Sequence, residues 1–273
     1  MADAHIENKE QELRDKMSRF LTGDSLRRKP VRDVLHQMTC CHWNAFLFGG
    51  VARDILRFGI KARVRDVDVV ADAPANALYE HLQTYVKRRT RFGGLHMVNE
   101  RWLFDVWPLA DTWAFRECHI AHADFERLPK TTFLNVEAVA VELKPRRGRK
   151  RSIYSHGFFE AFLNEVVDIN LRENPYPGLC VVRSLLTAER LDFAIGITLA
   201  DYILEEFGNT DIEQFLSVQK SHYGCHMVGK HQLLHWIHDI RDQRKTQPAS
   251  NIRLSHRLPD QLDLSDDIIL AGR

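Results

Sequence analysis

Along the first part of the chain the apolar positions switch between helical and strand spacing; beyond it they keep a helical spacing. Residues 5 to 21 set Ile6, Leu13, Met17, Phe20 and Leu21 among acids and bases at a helical period, which predicts an amphipathic N-terminal helix. Pro30 suits a new helix start, with Val31, Val34 and Leu35 facing inward. A short apolar run at Phe46 to Phe48 then meets Gly49-Gly50 and a helix-compatible segment, Val51 to Phe58, so the chain reads strand, tight turn, helix. A second apolar strand runs through Asp66-Val67-Asp68-Val69-Val70. Pro74 opens a helix to about Tyr85, and the cations Lys87-Arg88-Arg89-Thr90-Arg91 either close it, where the helix dipole favours them, or contact RNA or a nucleotide. Leu95 to Asn99 and Trp102 to Trp107 flank a polar turn and predict a hairpin. After Thr112 to Phe115 and a loop with His119 and His122, residues 133 to 143 alternate as a strand. From Gly157 onward the pattern is helical: 158 to 163, 179 to 191, 194 to 207, 211 to 218 and 227 to 240.

These elements predict an α+β fold, a mixed antiparallel sheet flanked by helices and followed by an all-helical region. The expected division is an N-terminal helical segment over 1–38, a mixed domain over 39–155, a helical domain over 156–247 and a polar tail over 248–273.

The chemistry gathers on Phe46 to Asp72. Two adjacent glycines let backbone approach a polyanion, and the first amides of the following helix face the positive end of its dipole, so Gly49 and Gly50 are candidate phosphate donors. Paired glycines more often only make turns. Asp66 and Asp68, two apart in a strand, present carboxylates on one face. Either they are solvent-facing acids on an edge strand or they hold a divalent cation. Hard oxygen ligands suit magnesium, which takes one or two carboxylates together with substrate phosphates. Asp105 lies between Phe104 and Val106, and a carboxylate there needs a partner. If its hairpin lies beside the Asp66 strand, the three acids form a site for two metals, one activating a hydroxyl and one steadying a leaving pyrophosphate.

Gly49-Gly50-Val51-Ala52-Arg53-Asp54, then Asp66-Val67-Asp68, then Phe92-Gly93-Gly94-Leu95-His96-Met97 leading to Phe104-Asp105-Val106, resemble the head of the polymerase-beta-type nucleotidyltransferases. Within these they are most similar to the class II group of bacterial poly(A) polymerases and CCA-adding tRNA nucleotidyltransferases. A weaker similarity runs through Thr131 to Asn135 and through Glu173-Asn174-Pro175 to Phe193, like the family's neck, so the resemblance covers about residues 40 to 205. It implies a palm-type head with Asp66, Asp68 and Asp105 as catalytic and metal-binding residues for two Mg2+ ions. Arg53 resembles the triphosphate-contacting arginine, and Asp54 the acid that orients it or the ribose. Arg65 would serve either a phosphate or a simple ion pair. The implied reaction moves NMP from an NTP onto an RNA 3′ end, with tRNA as acceptor and pyrophosphate released.

The family's Arg-Arg-Asp-Phe is here Lys130-Thr131-Thr132-Phe133, and its base-reading Glu-Asp-x-x-Arg is Glu173-Asn174-Pro175-Tyr176-Pro177. Those losses open an alternative of the same chemistry, modification of a protein hydroxyl or small molecule by a toxin or defence enzyme. A third reading is non-catalytic nucleotide or RNA binding.

Charge adds one feature. The net charge is +1, yet Lys144 to Arg151 holds six cations in eight residues. The run joins two expected strands, so Arg146, Arg147, Arg149, Lys150 and Arg151 are either a solvated loop or a finger for RNA phosphates. Five cysteines without C-x-x-C spacing (Cys40, Cys41, Cys118, Cys180, Cys225) fit reduced thiols and a cytoplasmic setting. No apolar run reaches transmembrane length, and the first residues lack a signal peptide's apolar core. His222, Cys225, His226, His231, His235 and His238 could set metal ligands on helical faces, against the reading of solvent-facing or stacking histidines.

Overall fold

The computed structural model describes residues 2–23, 25–64, 66–90 and 93–255. It divides into two compact units, with the border between Leu163 and Asn164. The first unit runs α1 (Ala2–Thr22), α2 (Lys29–Thr39), β1 (Ala45–Phe48), α3 (Gly50–Phe58), β2 (Asp66–Ala71), α4 (Ala75–Leu82), β3 (Val86–Arg89), β4 (Leu95–Asn99), β5 (Trp102–Pro108), α5 (Trp113–Arg116), β6 (Val139–Glu142), β7 (Ile153–Ser155) and α6 (Phe158–Asn164). Its sheet has the order β3-β4-β5-β2-β1-β6-β7. Every neighbouring pair in it is antiparallel except β2 and β5, which run parallel with Asp68 opposite Asp105. This is the expected α+β architecture.

Alternation along the central strands assigns the two faces. Val67, Val69, Phe104 and Val106 are all buried to 1% exposure or less. Helix α3 packs on β2, α4 on β5 and α2 on β4. On the other face, Val70, Phe46 and Ala140 join Leu109, Phe115 and Leu128 in an apolar cluster, with Phe48, Trp107, Ile120, Phe125 and Tyr154 packed around it. That cluster covers only part of the face. Asp68 and Asp105 come two residues before Val70 and Trp107 in their strands, at the rim where the apolar cover stops.

Three segments depart from the sequence expectation. Lys87-Arg88-Arg89 is not a helix end but the edge strand β3, pairing only with β4, a place where exposed cations discourage further pairing. The strand expected over 133–143 shrinks to Val139–Glu142, because local side chains hold the preceding backbone in 3-10 turns. There the Thr132 hydroxyl donates to the carbonyls of Pro129 and Leu134, and Asn135 Oδ1 accepts the Val136 amide.

The second unit contains β8 (Val166–Val167), α7 (Pro177–Leu191), β9 (Ala194–Ile195), α8 (Ile197–Asn209), α9 (Ile212–Tyr223) and α10 (Lys230–Thr246). The helix expected from Ala194 therefore starts three residues later, because Ala194 and Ile195 pair in parallel with Val166 and Val167, and Ile195 also bridges Ile252. Its core is apolar, with Val181, Leu185, Ile203, Phe215, Leu233 and Trp236 each fully buried at 0% exposure. Among the described residues no helix is long and apolar enough to cross a membrane.

Candidate active site

The first glycine of the pair adopts a geometry that only glycine accepts easily. Gly49 caps α3 with φ 69° and ψ −123°, where a side chain would be strained. Its amide donates to the Val139 carbonyl at 3.1 Å, which ties the turn to β6. Gly49 thus makes the bend, and any amides offered to a ligand belong to Gly50 and the turn after it.

Three carboxylates share one sheet face. Asp66 and Asp68 are two apart on β2, and Asp68 is the register partner of Asp105 on the adjacent strand β5. All three are half-buried, whereas the valines and Phe104 between them point into the helical layer. Asp105 is also opposite His96 of β4, whose Nδ1 contacts Asp105 Oδ1 in a short hydrogen bond. In the sequence His96 stands out only as part of the Phe92 to Met97 motif. The signal was present, because His96 is the polar member of the alternating Leu95-His96-Met97.

A second glycine shapes the surroundings. A Cβ on Gly94 would lie 2.4 Å from the Trp107 ring, so the indole rests directly on the glycine backbone beside Asp105. Gly93, with φ 82°, makes the turn between β3 and β4. Phe92 of the quoted motif and Arg65 of the candidate set lie outside the described residues.

Arg53 is not displayed to solvent. Its side chain is 12% exposed and is held by Asp54 at 2.9 Å and by Glu137 of the 3-10 turn before β6, whose side chains are 4% and 10% exposed. The guanidinium folds back to within 3.4 Å of where a Gly50 Cβ would stand, so it lies against the glycine turn. Asp54 Oδ1 accepts a hydrogen bond from Arg53 Nε at 2.9 Å. Glu137 was missed, and an acid among Leu134, Val136, Val139 and Val141 was its only trace.

The basic run emerges at the other end of the strands. Gly49 joins β6 at Val139, while the turn leaves β6 beyond Glu142, beside the start of β1 at Phe46. Arg146, Arg147 and Lys150 are exposed. Arg149 instead pairs with Glu142 and Ser152, and Arg151 is only 8% exposed, donating to the carbonyls of Glu142 and Leu143. Burial pushes the Arg151 guanidinium below its ordinary pKa, partly countered by nearby Glu142. Arg146 and Arg147 border a cleft of about 260 Å³ with Trp43, Cys41 and Lys144.

In the second unit, Asn174 Oδ1 accepts the Tyr176 amide at 2.8 Å just ahead of α7, and Tyr176 is 63% exposed. The Asn174 side chain is therefore engaged in a local turn.

Among the described residues, no group of three His, Cys, Asp or Glu side chains is gathered into a ready-made metal cage, either at the carboxylates or in the late histidine cluster. His222 instead packs edge-on against Tyr223, and His238 pairs with Asp242. Magnesium needs no such cage, since one or two carboxylates plus substrate phosphates complete its shell. The oxygen-only set of Asp66, Asp68 and Asp105 fits that cation in donor type.

No protein-family model matches the chain, and no curated protein matches it in sequence. Solved structures do match in fold. The complex of a CCA-adding enzyme with CTP superposes with a TM-score of 0.58 at 14% identity, over 89% of this chain and 57% of that one. A tRNA nucleotidyltransferase complexed with a primer tRNA and an incoming ATP analogue gives 0.54 at 17% identity, over 78% and 62%. An apo tRNA-processing enzyme gives 0.52 at 16% identity, over 82% and 57%. The chain thus spans less than two thirds of the length of each, and what it shares with them is the fold of a tRNA nucleotidyltransferase.

Proposed function

We propose that this chain is a metal-dependent nucleotidyltransferase that moves NMP from an NTP onto an RNA 3′ end, with tRNA as the acceptor and pyrophosphate as the second product. The observation that carries the reading is the register of Asp68 against Asp105, with Asp66 two residues along the same face. Likeness in fold to enzymes described with tRNA and nucleotides supports it.

In this reading Asp66, Asp68 and Asp105 would hold the cations, with Asp66 and Asp68 serving the triphosphate and Asp105 the acceptor hydroxyl. Bound Mg2+ would supply charge neutralisation for the phosphates and a lower pKa for that hydroxyl. The rest is positioning, since phosphoryl transfer asks little covalent chemistry of a protein. Gly50 and the first turn of α3 offer amides at a positive helix end. Arg53, fixed by Asp54 and Glu137, adds positive charge behind that turn. His96 orients Asp105. Arg146, Arg147 and Lys150 contact RNA phosphates away from the reaction centre.

The test is incubation of labelled NTPs and Mg2+ with total RNA, with total protein and with neither, using a chain carrying both Asp66→Ala and Asp68→Ala as control. Label in RNA that vanishes in the control is the expected result. Label in protein would move the acceptor to a protein hydroxyl, and no transfer to either would end the reading.

A further inference from the structure

The register carries one more residue onto the carboxylate face. Asp68 pairs with Asp105, Asp105 with His96, and His96 with Arg88, so a single row crosses β2, β5, β4 and β3. Register partners share a face, with Cβ atoms of directly opposed antiparallel residues about 5 Å apart. Arg88 therefore stands two strand spacings, about 10 Å, from Asp105. Its neighbour Arg89 pairs with buried Leu95 and lies on the opposite face, over the Tyr79 ring at 4.7 Å and donating to Asn76 of α4. Arg88 is exposed, and among the described residues its side chain makes no hydrogen bond or ion pair.

The sheet order gives this position a meaning. Counting across the sheet, the glycine turn, α3 and Arg53 flank the carboxylates from the β1 side, whereas His96 and Arg88 flank them from the β4 and β3 side. The first side has the backbone amides and buried arginine suited to a triphosphate. The second begins at Asp105, the acid assigned to the acceptor hydroxyl. We infer that Arg88 is a phosphate-binding residue for the acceptor strand, gripping a phosphodiester next to the 3′ end while His96 separates it from Asp105. An exposed guanidinium two strands from the reacting hydroxyl fits a nucleic-acid acceptor, whose phosphates repeat along the strand. The assignment of sides rests on the function proposed above.

The test uses the full chain and two ligands measured separately. A labelled single-stranded RNA of about a dozen nucleotides, within the usual site size of such surfaces, is titrated by fluorescence anisotropy at several salt concentrations. ATP with Mg2+ is titrated by equilibrium dialysis. Arg88→Ala should weaken RNA binding about tenfold, as for loss of one charge-assisted hydrogen bond. It should also lower the magnitude of the log–log salt slope by about 0.7, one single-strand phosphate. ATP binding should not move, Arg88→Lys should keep the slope, and Arg89→Ala should change RNA binding far less. Weakened ATP binding with RNA unaffected would assign the phosphate to the triphosphate and overturn the inference. Equal effects of the two arginine variants, or none, would overturn it as well. A wild-type chain that labels no RNA would end the proposed reaction, yet a selective binding defect in Arg88→Ala would still uphold the phosphate contact, so the two failures are separable.

Discussion

Two basic clusters in this chain look alike as sequence and differ as structure. Lys87-Arg88-Arg89 forms an edge strand whose register leads to the carboxylates, while Lys144 to Arg151 forms a turn at the far end of β6. The longer run has more charge but has also committed more of it. Arg149 and Arg151 are bound to Glu142 and to backbone carbonyls, whereas Arg146, Arg147 and Lys150 are exposed. A cation bound by its own fold stabilises the fold, whereas one left to solvent is free to meet a ligand directly. Density of charge in a sequence does not separate the two.

Breaking a buried pair gives the largest effect. Glu137→Ala removes one of the carboxylates that hold Arg53, whose side chain is 12% exposed. Loss of about 3–5 kcal/mol of stability is expected, read as a drop in the chemical-denaturation midpoint. An unchanged midpoint would mean that Arg53 readily turns to solvent and belongs with the ligand-binding cations. Asp68→Asn probes the other end of the comparison. It should reduce nucleotide transfer roughly 10²–10³-fold, the scale for losing one electrostatic group at a reacting centre, with the thermal melt preserved. Transfer at the wild-type rate would show that the chemistry does not lie at this end of the sheet.

How much of this could be read beforehand depended on the range of the interaction. The two-residue period of Asp66-Val67-Asp68-Val69 and of Phe104-Asp105-Val106 fixed which side chains share a face, because alternation is local. The parallel pairing of β2 with β5 has no local signature, and it alone brings Asp105 to Asp68. Strand β3 was misread because Val-Lys-Arg-Arg lacks apolar alternation, and cations also suit a helix C-terminus. Arg151 was read as solvent-exposed for a similar reason. Its burial is decided by two carbonyls eight and nine residues away, at the mouth of a hairpin whose closure the sequence only suggests.

Arg151→Ala separates the two kinds of cation within a single run. The guanidinium donates to the carbonyls of Glu142 and Leu143, so its loss leaves buried acceptors unmet. A cost of about 1–3 kcal/mol is expected, visible as faster amide exchange in β6 and β7. RNA affinity should stay within error. A fall in RNA affinity without any loss of stability would move Arg151 into the ligand-facing set.

The smallest effect on stability belongs to the exposed part of the same turn. Replacing Arg146, Arg147 and Lys150 together with alanine removes three charges that face solvent. For single-stranded RNA the log–log salt slope should then flatten by about 2, at roughly 0.7 for each phosphate released. At near-physiological salt a slope smaller by about 2 corresponds to a loss of roughly 50-fold in affinity, shared by all RNA sequences, because phosphate contacts carry no base information. The maximal rate of transfer should be unchanged, since the turn leaves β6 at the end opposite the glycine bend. Arg88→Ala, by contrast, should lower transfer at saturating RNA as well, because misplacing the acceptor near Asp105 disturbs the geometry of attack. If the triple variant lowered the maximal rate as much as Arg88→Ala does, RNA bound at one end of the sheet would be positioning the hydroxyl at the other. The distance between the two basic clusters would then matter less than their shared charge.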